Sequence, residues 1–387
     1  MTPAARIAAA ADILDKVIAG GSTEQCLLNW ARSSRYAGSG DRAAVRDLVF
    51  DARRRQRSFA WIGGAETGRG LMLGRVRAEG EDPDAEFTGD RHCLDRLSER
   101  EAALSPEISL APDPVRFDCQ DWLWPIFQKA FGEQAAPILS ALQSRAPVFL
   151  RANISKATTD QAIKMLAEDD IVAVEEPLSP SALRVTGNAR RVQGSKAYGD
   201  GVVELQDAAS QAVVDLVSPY AAGGSVLDYC AGGGGKSLQL AAGGASRVVA
   251  HDADMKRMRD IPARAARAGQ RIEVAERPDG LFDCVLTDVP CSGSGAWRRQ
   301  PDAKWLLTPA RLSELNDVQD EILDRAVAHV KENGVLAFAT CSLLEEENGE
   351  RIAAFLERHP EWHPVDERRF SPLEGGDGFF VAILRRR

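Results

Sequence analysis

The feature that most constrains the fold of this chain is a regular alternation of strand-like and helix-like segments in its second half. Four short apolar runs alternate there with four segments of helical spacing; the runs span 226–229, 247–252, 282–288 and 335–340, and the helical segments span 236–242, 253–268, 309–332 and 345–357. Such alternation is typical of a doubly wound parallel sheet with helices on both faces. We therefore predict an α/β fold that binds its ligand at the carboxyl ends of the strands.

The chain has 387 residues, which is long enough for two or three domains, and its pattern changes along its length. Residues 1–75 carry apolar residues at helical spacing and predict an all-α domain. An acidic stretch rich in Gly and Pro, at 78–90, predicts a surface loop within a linker at 76–115. We place a small α+β subdomain at 116–200 and the doubly wound domain at 201–387.

Charge and cysteine content exclude several classes of protein. The formal net charge is −9, which argues against non-specific binding of nucleic acid by bulk charge. Residues 1–70 differ, because 11 Lys and Arg against 7 Asp and Glu give them a balance of +4. The chain has 7 Cys without a Cys-x-x-Cys pair and lacks an apolar run of membrane-spanning length. We therefore expect a cytoplasmic protein with reduced thiols, no metal site and no membrane contact.

Part of the positive charge of the N-terminal region lies in one short cluster. It consists of Arg53, Arg54, Arg55 and Arg57. Two interpretations are open, a solvated helix face and a patch that binds RNA phosphates.

A glycine-rich turn, with the sequence DYCAGGGGKS at 228–237, follows the first strand of the predicted sheet. Glycine there permits a tight turn and lets a ligand approach the backbone. A phosphate-binding P-loop would need glycine at position 230, which is Cys230, and a dinucleotide fingerprint would need glycine at position 237, which is Ser237. Asp252, at the end of the second strand, fits a nucleoside-binding sheet. A loose structural turn and a helix N-cap at Asp252 are the alternatives.

Two polar loops follow buried strands further along the chain. One has the sequence DVPCSGSG at 288–295, and the other has the sequence TCS at 340–342. Because neighbouring parallel strands end at the same edge of a sheet, we expect Cys291 and Cys341 to face the same crevice. Free cysteine is most often a small buried hydrophobe. We assign packing or loop roles to the other cysteines, which are Cys26, Cys93, Cys119, Cys230 and Cys284.

The combination of these motifs resembles the RsmB (Sun) family of S-adenosylmethionine-dependent RNA cytosine-5 methyltransferases. An Asp-x-Pro-Cys motif, a later Thr-Cys-Ser motif and an upstream Gly-Lys-Ser turn carry the resemblance. It extends to residues 146–153 and 197–211, which are similar to the small subdomain of the family's catalytic module, and to residues 1–75, which are similar to the NusB antitermination factor. The turn differs, because the family usually has Cys-Ala-Ala-Pro-Gly-Gly-Lys where this chain has CAGGGGK at 230–236.

The resemblance implies a role for four residues near the sheet edge. Carbon 5 of cytosine is too electron-poor to accept a methyl group until a nucleophile adds at carbon 6, a task that suits a thiolate. The family pattern implies Cys341 as that nucleophile and Cys291 as a group needed for its release. It implies Asp288 as the group that binds the base and Lys236 as an orienting charge. A structural thiol is the alternative for Cys291.

The resemblance also implies S-adenosylmethionine as the cofactor and RNA as the partner. The residues expected to bind the cofactor are Asp228, Cys230, Ala231, Gly232, Gly233, Gly234, Gly235, Lys236, Asp252 and Asp288. Arg298, Arg299 and Lys304 are expected to hold RNA phosphates at the pocket rim, with plain solvation as the alternative. Small-subunit ribosomal RNA is the expected substrate of a monomeric enzyme. Transfer RNA, or a degenerate RNA-binding assembly factor that no longer binds the cofactor, are the alternatives.

Overall fold

The computed structural model describes residues 1–104 and 106–387, and the chain divides into two compact units. The first unit comprises Met1–Arg145 together with Trp297–Leu306, and the second comprises Ala146–Ala296 and Leu307–Arg387. The chain therefore leaves the second unit for a short segment and then returns to it. In the described part of the chain, we find no helix that is both long enough and apolar enough to cross a membrane.

The first unit is helical. Helix α1 begins where the hydroxyl of Thr2 accepts a hydrogen bond from the N–H of Ala5, with Pro3 at the first helical position. The helices up to residue 145 are α1 (Pro3–Ile18), α2 (Thr23–Ser33), α3 (Ser39–Arg54), α4 (Gln56–Gly63), α5 (Gly68–Ala78), α6 (Pro83–Glu86), α7 (Glu99–Ala103), α8 (Asp113–Arg116), α9 (Trp124–Phe131) and α10 (Ala135–Leu142).

The core of this unit is closely packed around α5. A Cβ atom at Gly68 would stand 1.9 Å from the carbonyl oxygen of Ala11, and one at Gly74 would stand 1.9 Å from that of Phe59. Glycine at these two positions therefore lets α5 lie directly against α1 and α4. Fully buried apolar side chains from several helices fill the core, including Ile13, Leu14, Val45, Val49, Phe59, Leu71 and Val76.

Residues 76–115, which we predict as a linker, belong to the first unit in this structure. Helix α5 runs to Ala78, and three short helices, α6 to α8, follow it. Within the acidic stretch most residues from Glu79 to Glu86 are exposed, but Phe87 is fully buried in the helical core. One aromatic side chain thus ties this stretch to the unit.

The second unit contains two sheets. The smaller is a four-stranded antiparallel sheet in the order β2-β3-β1-β4. Its strands and the helices around them are β1 (Val148–Ala152), α11 (Thr159–Glu168), β2 (Val172–Glu175), β3 (Ala182–Gly187), α12 (Lys196–Gly199) and β4 (Val203–Leu205).

The larger sheet has seven strands in the order β10-β11-β9-β8-β5-β6-β7. The five strands from β9 to β7 in this order are parallel, whereas β10 and β11 are antiparallel to their neighbours. The elements are α13 (Ala208–Ala221), β5 (Ser225–Asp228), α14 (Gly235–Ala242), β6 (Arg247–Ala250), α15 (Ile261–Ala268), β7 (Glu273–Val274), β8 (Phe282–Asp288), α16 (Pro301–Leu306, in the first unit), α17 (Pro309–Ala326), β9 (Val330–Thr340), α18 (Gly349–Arg358), β10 (Trp362–Phe370) and β11 (Phe379–Arg386).

Apolar layers cover both faces of the larger sheet, and neighbouring residues of a strand enter opposite layers. On β9, Ala337 packs with Val213 and Val217 of α13, while Phe338 packs with Leu323 of α17 and Phe355 of α18. This arrangement confirms the predicted doubly wound α/β fold.

Some predicted element boundaries are wrong. The helix expected at 309–332 ends at Ala326, because the chain enters β9 at Val330. The helix expected at 253–268 is a 3₁₀ turn at Met255–Met258 followed by α15, whose first turn holds a proline. The helix expected at 345–357 begins only at α18, after a 3₁₀ turn. The antiparallel pair β10 and β11 is not predicted at all.

Candidate active site

The three chemical motifs follow three adjacent strands of the larger sheet. Strands β5, β8 and β9 end at Asp228, Asp288 and Thr340, and β8 lies between the other two. The register pairs Asp228 with Leu286 and Asp288 with Ala339, so the three carboxyl ends lie at the same edge. The glycine turn and both cysteine loops therefore meet, as the alternation of strands and helices predicts.

The two loop cysteines are in direct contact. The Sγ atoms of Cys291 and Cys341 are 3.3 Å apart, and both side chains are partly buried. The N–H of Gly295 donates to the carbonyl oxygen of Cys341 at 3.0 Å, which joins the two loops through the main chain. The hydrogen bond to Cys341, together with burial, raises the pKa of the Cys291 thiol well above its usual value.

A partly buried ion pair lies at the same edge. The Nζ atom of Lys236 donates to Oδ2 of Asp288 at 2.7 Å, and the two side chains are 10% and 30% exposed. Burial by itself would lower the pKa of Lys236, but the nearby carboxylates, above all Asp288, outweigh burial and raise this pKa. Lys236 is therefore a cation whose charge is directed at Asp288.

The glycine turn has the backbone that a close-fitting ligand requires. Gly232 and Gly234 have positive φ angles of 52° and 80°, which other residues adopt at a cost. At Gly234 a Cβ would also lie 2.8 Å from Cγ1 of Ile261. Helix α14 begins directly afterwards, at Gly235, so its first N–H groups lie at the turn. The four glycines are thus a shaped turn and not a loose one.

Two carboxylates flank this turn. Asp228 accepts a hydrogen bond from the hydroxyl of Ser237 at 2.6 Å, whereas its buried Oδ1 has no partner among the described residues. Burial raises the pKa of Asp228 to about 7. Asp252 accepts from the N–H of Gly232 at 2.9 Å and pairs with Arg257 at 3.0 Å. The N-cap of the next 3₁₀ turn is Asp254, so the N-cap alternative for Asp252 is wrong.

The other cysteines differ from the loop pair. Cys119 and Cys284 are fully buried, and burial raises the pKa of each thiol to about 12. Burial also raises the pKa of Cys230 within the glycine turn. A raised pKa disfavours the nucleophilic thiolate, which fits the packing or loop roles expected for these three cysteines. Cys26 and Cys93 are only half-buried, so they differ from the buried hydrophobes expected at these positions.

The structure corrects the expected exposure of two RNA-contact residues. Arg298 and Lys304 are buried in the first unit, at 5% and 2% exposure, and only Arg299 is exposed. Nζ of Lys304 donates to the carbonyl oxygen of Arg54 at 2.9 Å, and Nε of Arg54 donates to that of Arg298 at 2.7 Å. Neither buried side chain is available to a phosphate in this structure.

The arginine cluster of the first unit is corrected in the same way. Arg53 and Arg54 are 6% and 8% exposed, so neither a solvated face nor an exposed RNA patch describes them. Nε of Arg53 pairs with Oδ1 of Asp302 at 2.8 Å. Arg55 and Arg57 remain partly exposed and pair with Glu79 and Asp121.

Sequence reasoning missed a polar network beneath the two loop thiols. Its centre is Glu347, which is completely buried and bonded to Ser292 and Ser342. A serine directly after each loop cysteine was the available signal. The acidic run Glu345–Glu347 reads as an exposed helix start, which concealed the buried member of that run.

Matches to methyltransferase family models cover most of the chain. A family model for the 16S rRNA methyltransferase RsmB/F matches residues 217–385, and a model for the ferredoxin-like domain of the RsmF/B-like methyltransferases matches residues 120–192. Among solved structures, PH0851 has a TM-score of 0.78 at 22% identity and covers 100% of this chain and 99% of its own. NSun6 from Pyrococcus horikoshii, solved with SFG, has a TM-score of 0.61 at 16% identity over 69% of this chain and 98% of its own. These two similarities show a shared fold.

Curated relatives are closer in sequence. Ribosomal RNA small subunit methyltransferase B of Klebsiella pneumoniae is 35% identical over 76% of this chain and 72% of its own length. The protein of the same name from Yersinia pestis is 36% identical over 68% of this chain, and the match spans 65% of its own length. On these matches, the chain belongs to the RsmB/F family of 16S rRNA methyltransferases.

Proposed function

We propose that this protein transfers a methyl group from S-adenosylmethionine to carbon 5 of a cytidine in small-subunit ribosomal RNA, through a covalent cysteine adduct. The observation that carries the proposal is the contact of two thiols, 3.3 Å apart, at the sheet edge that also holds the ion pair of Lys236 and Asp288. A small-molecule methyltransferase needs neither thiol. Two loop cysteines with different surroundings suit a reaction that must make a bond to the base and later break it.

Cys341 is the proposed nucleophile. Its thiolate adds to carbon 6 of the cytosine, which makes carbon 5 electron-rich enough to take the methyl group. Asp288 binds the edge of the base that gains electron density, and Lys236 holds the Asp288 carboxylate in place. The contact of the two sulfurs supports this division, because a neutral Cys291 thiol can donate to the Cys341 sulfur before attack.

Cys291 has its proposed role after methyl transfer. Once Cys341 is bonded to carbon 6 it carries no charge, so the main cause of the raised pKa of Cys291 is removed. Cys291 can then lose its proton to water and accept the proton from carbon 5. The carbon 5–carbon 6 double bond re-forms as the bond from carbon 6 to sulfur breaks, and Cys341 leaves as a thiolate.

The residues of the turn fit the proposed cofactor. The buried Oδ1 of Asp228, to which no described residue bonds, offers an acceptor. The left-handed glycines let a ligand lie against the backbone, and Asp252 offers a carboxylate at the end of β6. Bound S-adenosylmethionine would supply the electrophilic methyl group. We propose that the residues of the turn, 228 and 230–236, hold it together with Asp252 and Asp288. Because Asp252 already pairs with Arg257, we expect the Arg257 side chain to move when a ribose binds.

The RNA partner is proposed on the names of the curated relatives and on residues 1–75, which we propose to be a NusB-like RNA-binding domain. Of the three expected phosphate contacts, only Arg299 remains proposed. Small-subunit ribosomal RNA is the first substrate to test, and transfer RNA is the alternative. Calorimetry separates an enzyme from a degenerate assembly factor, because only the enzyme must bind S-adenosylmethionine.

Replacement of each loop cysteine tests the chemistry. We expect Cys341→Ala to abolish methylation, and Cys291→Ala to accumulate a covalent protein–RNA adduct that is visible on a denaturing gel. Cys26→Ala, which changes a half-buried thiol of the first unit, is the matched control and should methylate like the wild type. An adduct with Cys341→Ala instead would reverse the two roles, and methylation by both variants would refute the adduct mechanism.

A further inference from the structure

A single buried carboxylate joins the two cysteine loops. Oε2 of Glu347 accepts hydrogen bonds from the hydroxyls of Ser292 and Ser342, each at 2.5 Å. Oε1 accepts from the N–H of Ser292 at 2.7 Å and from the side-chain amide of Gln319 at 3.1 Å. Glu347 is 0% exposed. Four donors on one buried carboxylate offset the cost of removing its charge from water.

The two serines directly follow the two thiols. Ser292 comes after Cys291 in the loop of β8, and Ser342 comes after Cys341 in the loop of β9. One oxygen of Glu347 therefore bonds both loops at the positions adjacent to the sulfurs. A movement of either serine away from this oxygen would move the neighbouring cysteine with it.

Glu347 itself is held from three directions. It ends the 3₁₀ turn that follows the Cys341 loop, and the next residue, Asn348, accepts from the hydroxyl of Thr340 at 2.6 Å. The amide of Asn348 also donates to the carbonyl oxygen of Ser342 at 3.0 Å. Gln319, on α17, donates to the carbonyl oxygen of Pro290 at 2.9 Å as well as to Glu347. The carboxylate is thus a fixed point and not a mobile side chain.

We propose that Glu347 is a positioning residue that sets the separation of the Cys291 and Cys341 sulfurs. The consequence of this positioning for methylation rests on the proposed function, because the two thiols must act in turn on the same base. Its consequence for thiol geometry does not, since the contact of the two sulfurs can be tested by crosslinking without any measurement of methylation.

Disulfide formation measures this separation directly. Diamide oxidises the two thiols to a disulfide: a bond forms between the two sulfurs, and the azo group of diamide takes up the two electrons and two protons. Mass spectrometry of a non-reduced digest quantifies the Cys291–Cys341 crosslink over time. The rate reports how often the sulfurs meet, and it requires neither RNA nor S-adenosylmethionine.

Two substitutions of Glu347 separate the effect of its position from the effect of its charge. Both remove the charge, and they differ in whether the side chain still bonds the two loops. Glu347→Gln keeps the shape: its oxygen can accept from the N–H of Ser292, and its amide can donate to the two serine hydroxyls. Glu347→Ala removes every bond between the loops through this side chain. We expect the alanine variant to form the crosslink more slowly than the glutamine variant, by a factor on the order of ten. Glu350→Gln, at an exposed position of α18, should crosslink like the wild type.

Equal crosslinking rates in the glutamine and alanine variants would overturn the proposal, as would a wild-type protein that forms no crosslink. If the alanine variant does not fold, Ser342→Ala replaces it, because this change removes the bond from the Cys341 loop to Glu347, together with the contacts of the Ser342 hydroxyl with Ser292, Ser294 and Leu344. A crosslinking rate unchanged by Ser342→Ala would count equally against the proposal.

In the methylation assay, we expect a lower kcat for the Glu347→Ala variant, an unchanged KM for RNA, and rescue by Glu347→Gln. Absence of methylation by the wild type would refute the proposed function and leave the crosslinking result to decide the role of Glu347.

Discussion

Two clusters of buried charge lie in this molecule, one in each unit, and their partners differ in kind. In the first unit, two buried cations donate to main-chain oxygens, Arg54 to Arg298 and Lys304 to Arg54, whereas Arg53 pairs with the carboxylate of Asp302. The indole N–H of Trp305 donates to the carbonyl oxygen of Arg53 at 2.7 Å in the same region. The bonds that end on carbonyl groups tie chain segments together and leave little to exchange with a ligand.

The cluster at the sheet edge of the second unit uses side chains instead. Lys236 bonds the carboxylate of Asp288, one oxygen of Asp228 has no partner in the described part of the chain, and the two loop thiols contact each other. Side-chain pairs of this kind can separate and re-pair with a bound molecule. Burial of charge is costly in both clusters. Bonds to carbonyl oxygens, such as those of Arg54 and Lys304, therefore mark charges that stabilise the fold, and the pairs Arg53–Asp302 and Lys236–Asp288 test whether a side-chain pair is structural or available for chemistry.

The largest effect should come from the edge cluster. Lys236→Met removes the cation that holds Asp288, and we expect the rate of methyl transfer in a single turnover to fall by about 10²–10³. Lys164→Met changes an exposed lysine of α11 and should leave the rate unchanged. A Lys236→Met protein that keeps its rate but loses stability would show that this charge, too, is structural.

The first-unit cluster should respond in stability. Arg53→Met breaks the ion pair with Asp302, and we expect the free energy of unfolding to fall by about 2–3 kcal/mol, because Asp302 loses a partner that is itself buried. Arg46→Met breaks an exposed pair with Glu24 and should cost less than about 0.5 kcal/mol. Urea unfolding measures both. A loss of methylation rate by folded Arg53→Met protein, without a loss of stability, would contradict the comparison.

The smallest effect is a pH dependence. Burial lowers the pKa of Lys304 to about 8, compared with about 10.4 for a lysine in an unfolded chain. Between these values the unfolded chain binds one more proton than the folded protein, so the free energy of unfolding contains a part that rises with pH. Below about pH 8 the group is charged in both states and contributes no slope.

We expect Lys304→Met to remove this rise, which is worth about 1–2 kcal/mol between pH 8 and pH 10. Thermal or urea unfolding across that range gives the slope. Lys164→Met is again the reference, because its lysine is exposed and should keep the wild-type profile. Identical slopes for Lys304→Met and the wild type would mean that the pKa of Lys304 is not lowered in the folded protein.

Local pattern predicts the parallel part of the sheet well and the surroundings of charged residues poorly. The strand predicted at 282–288 coincides with β8, because a short, mainly apolar segment between turn residues favours a buried strand. The edge where Cys291 and Cys341 meet follows from the geometry of parallel strands alone. Strand β10, in contrast, consists largely of polar and charged residues along its length and carries no apolar run that would indicate it.

The burial of Lys304 depends on a partner 250 residues away in the sequence, Arg54, and no local period contains that information. The same holds for Glu347, whose bond to Ser292 spans 55 residues. In both cases the side-chain type is compatible with either a surface or an interior position. Packing between distant segments decides which of the two positions the side chain occupies. The expected RNA contacts of Arg298 and Lys304 failed for this reason, and the polar network under the thiols was missed for the same reason.

The excursion of Trp297–Leu306 into the first unit has a consequence for the order of assembly during synthesis. The segment supplies Asp302 to Arg53 and a carbonyl oxygen to Arg54, and Trp297 packs against Phe127. All of residues 146–296 must be made before these partners exist. The unit that contains the beginning of the chain is therefore completed late, and a fragment that ends at Arg145 would retain two arginines in its interior without the groups that neutralise and bind them.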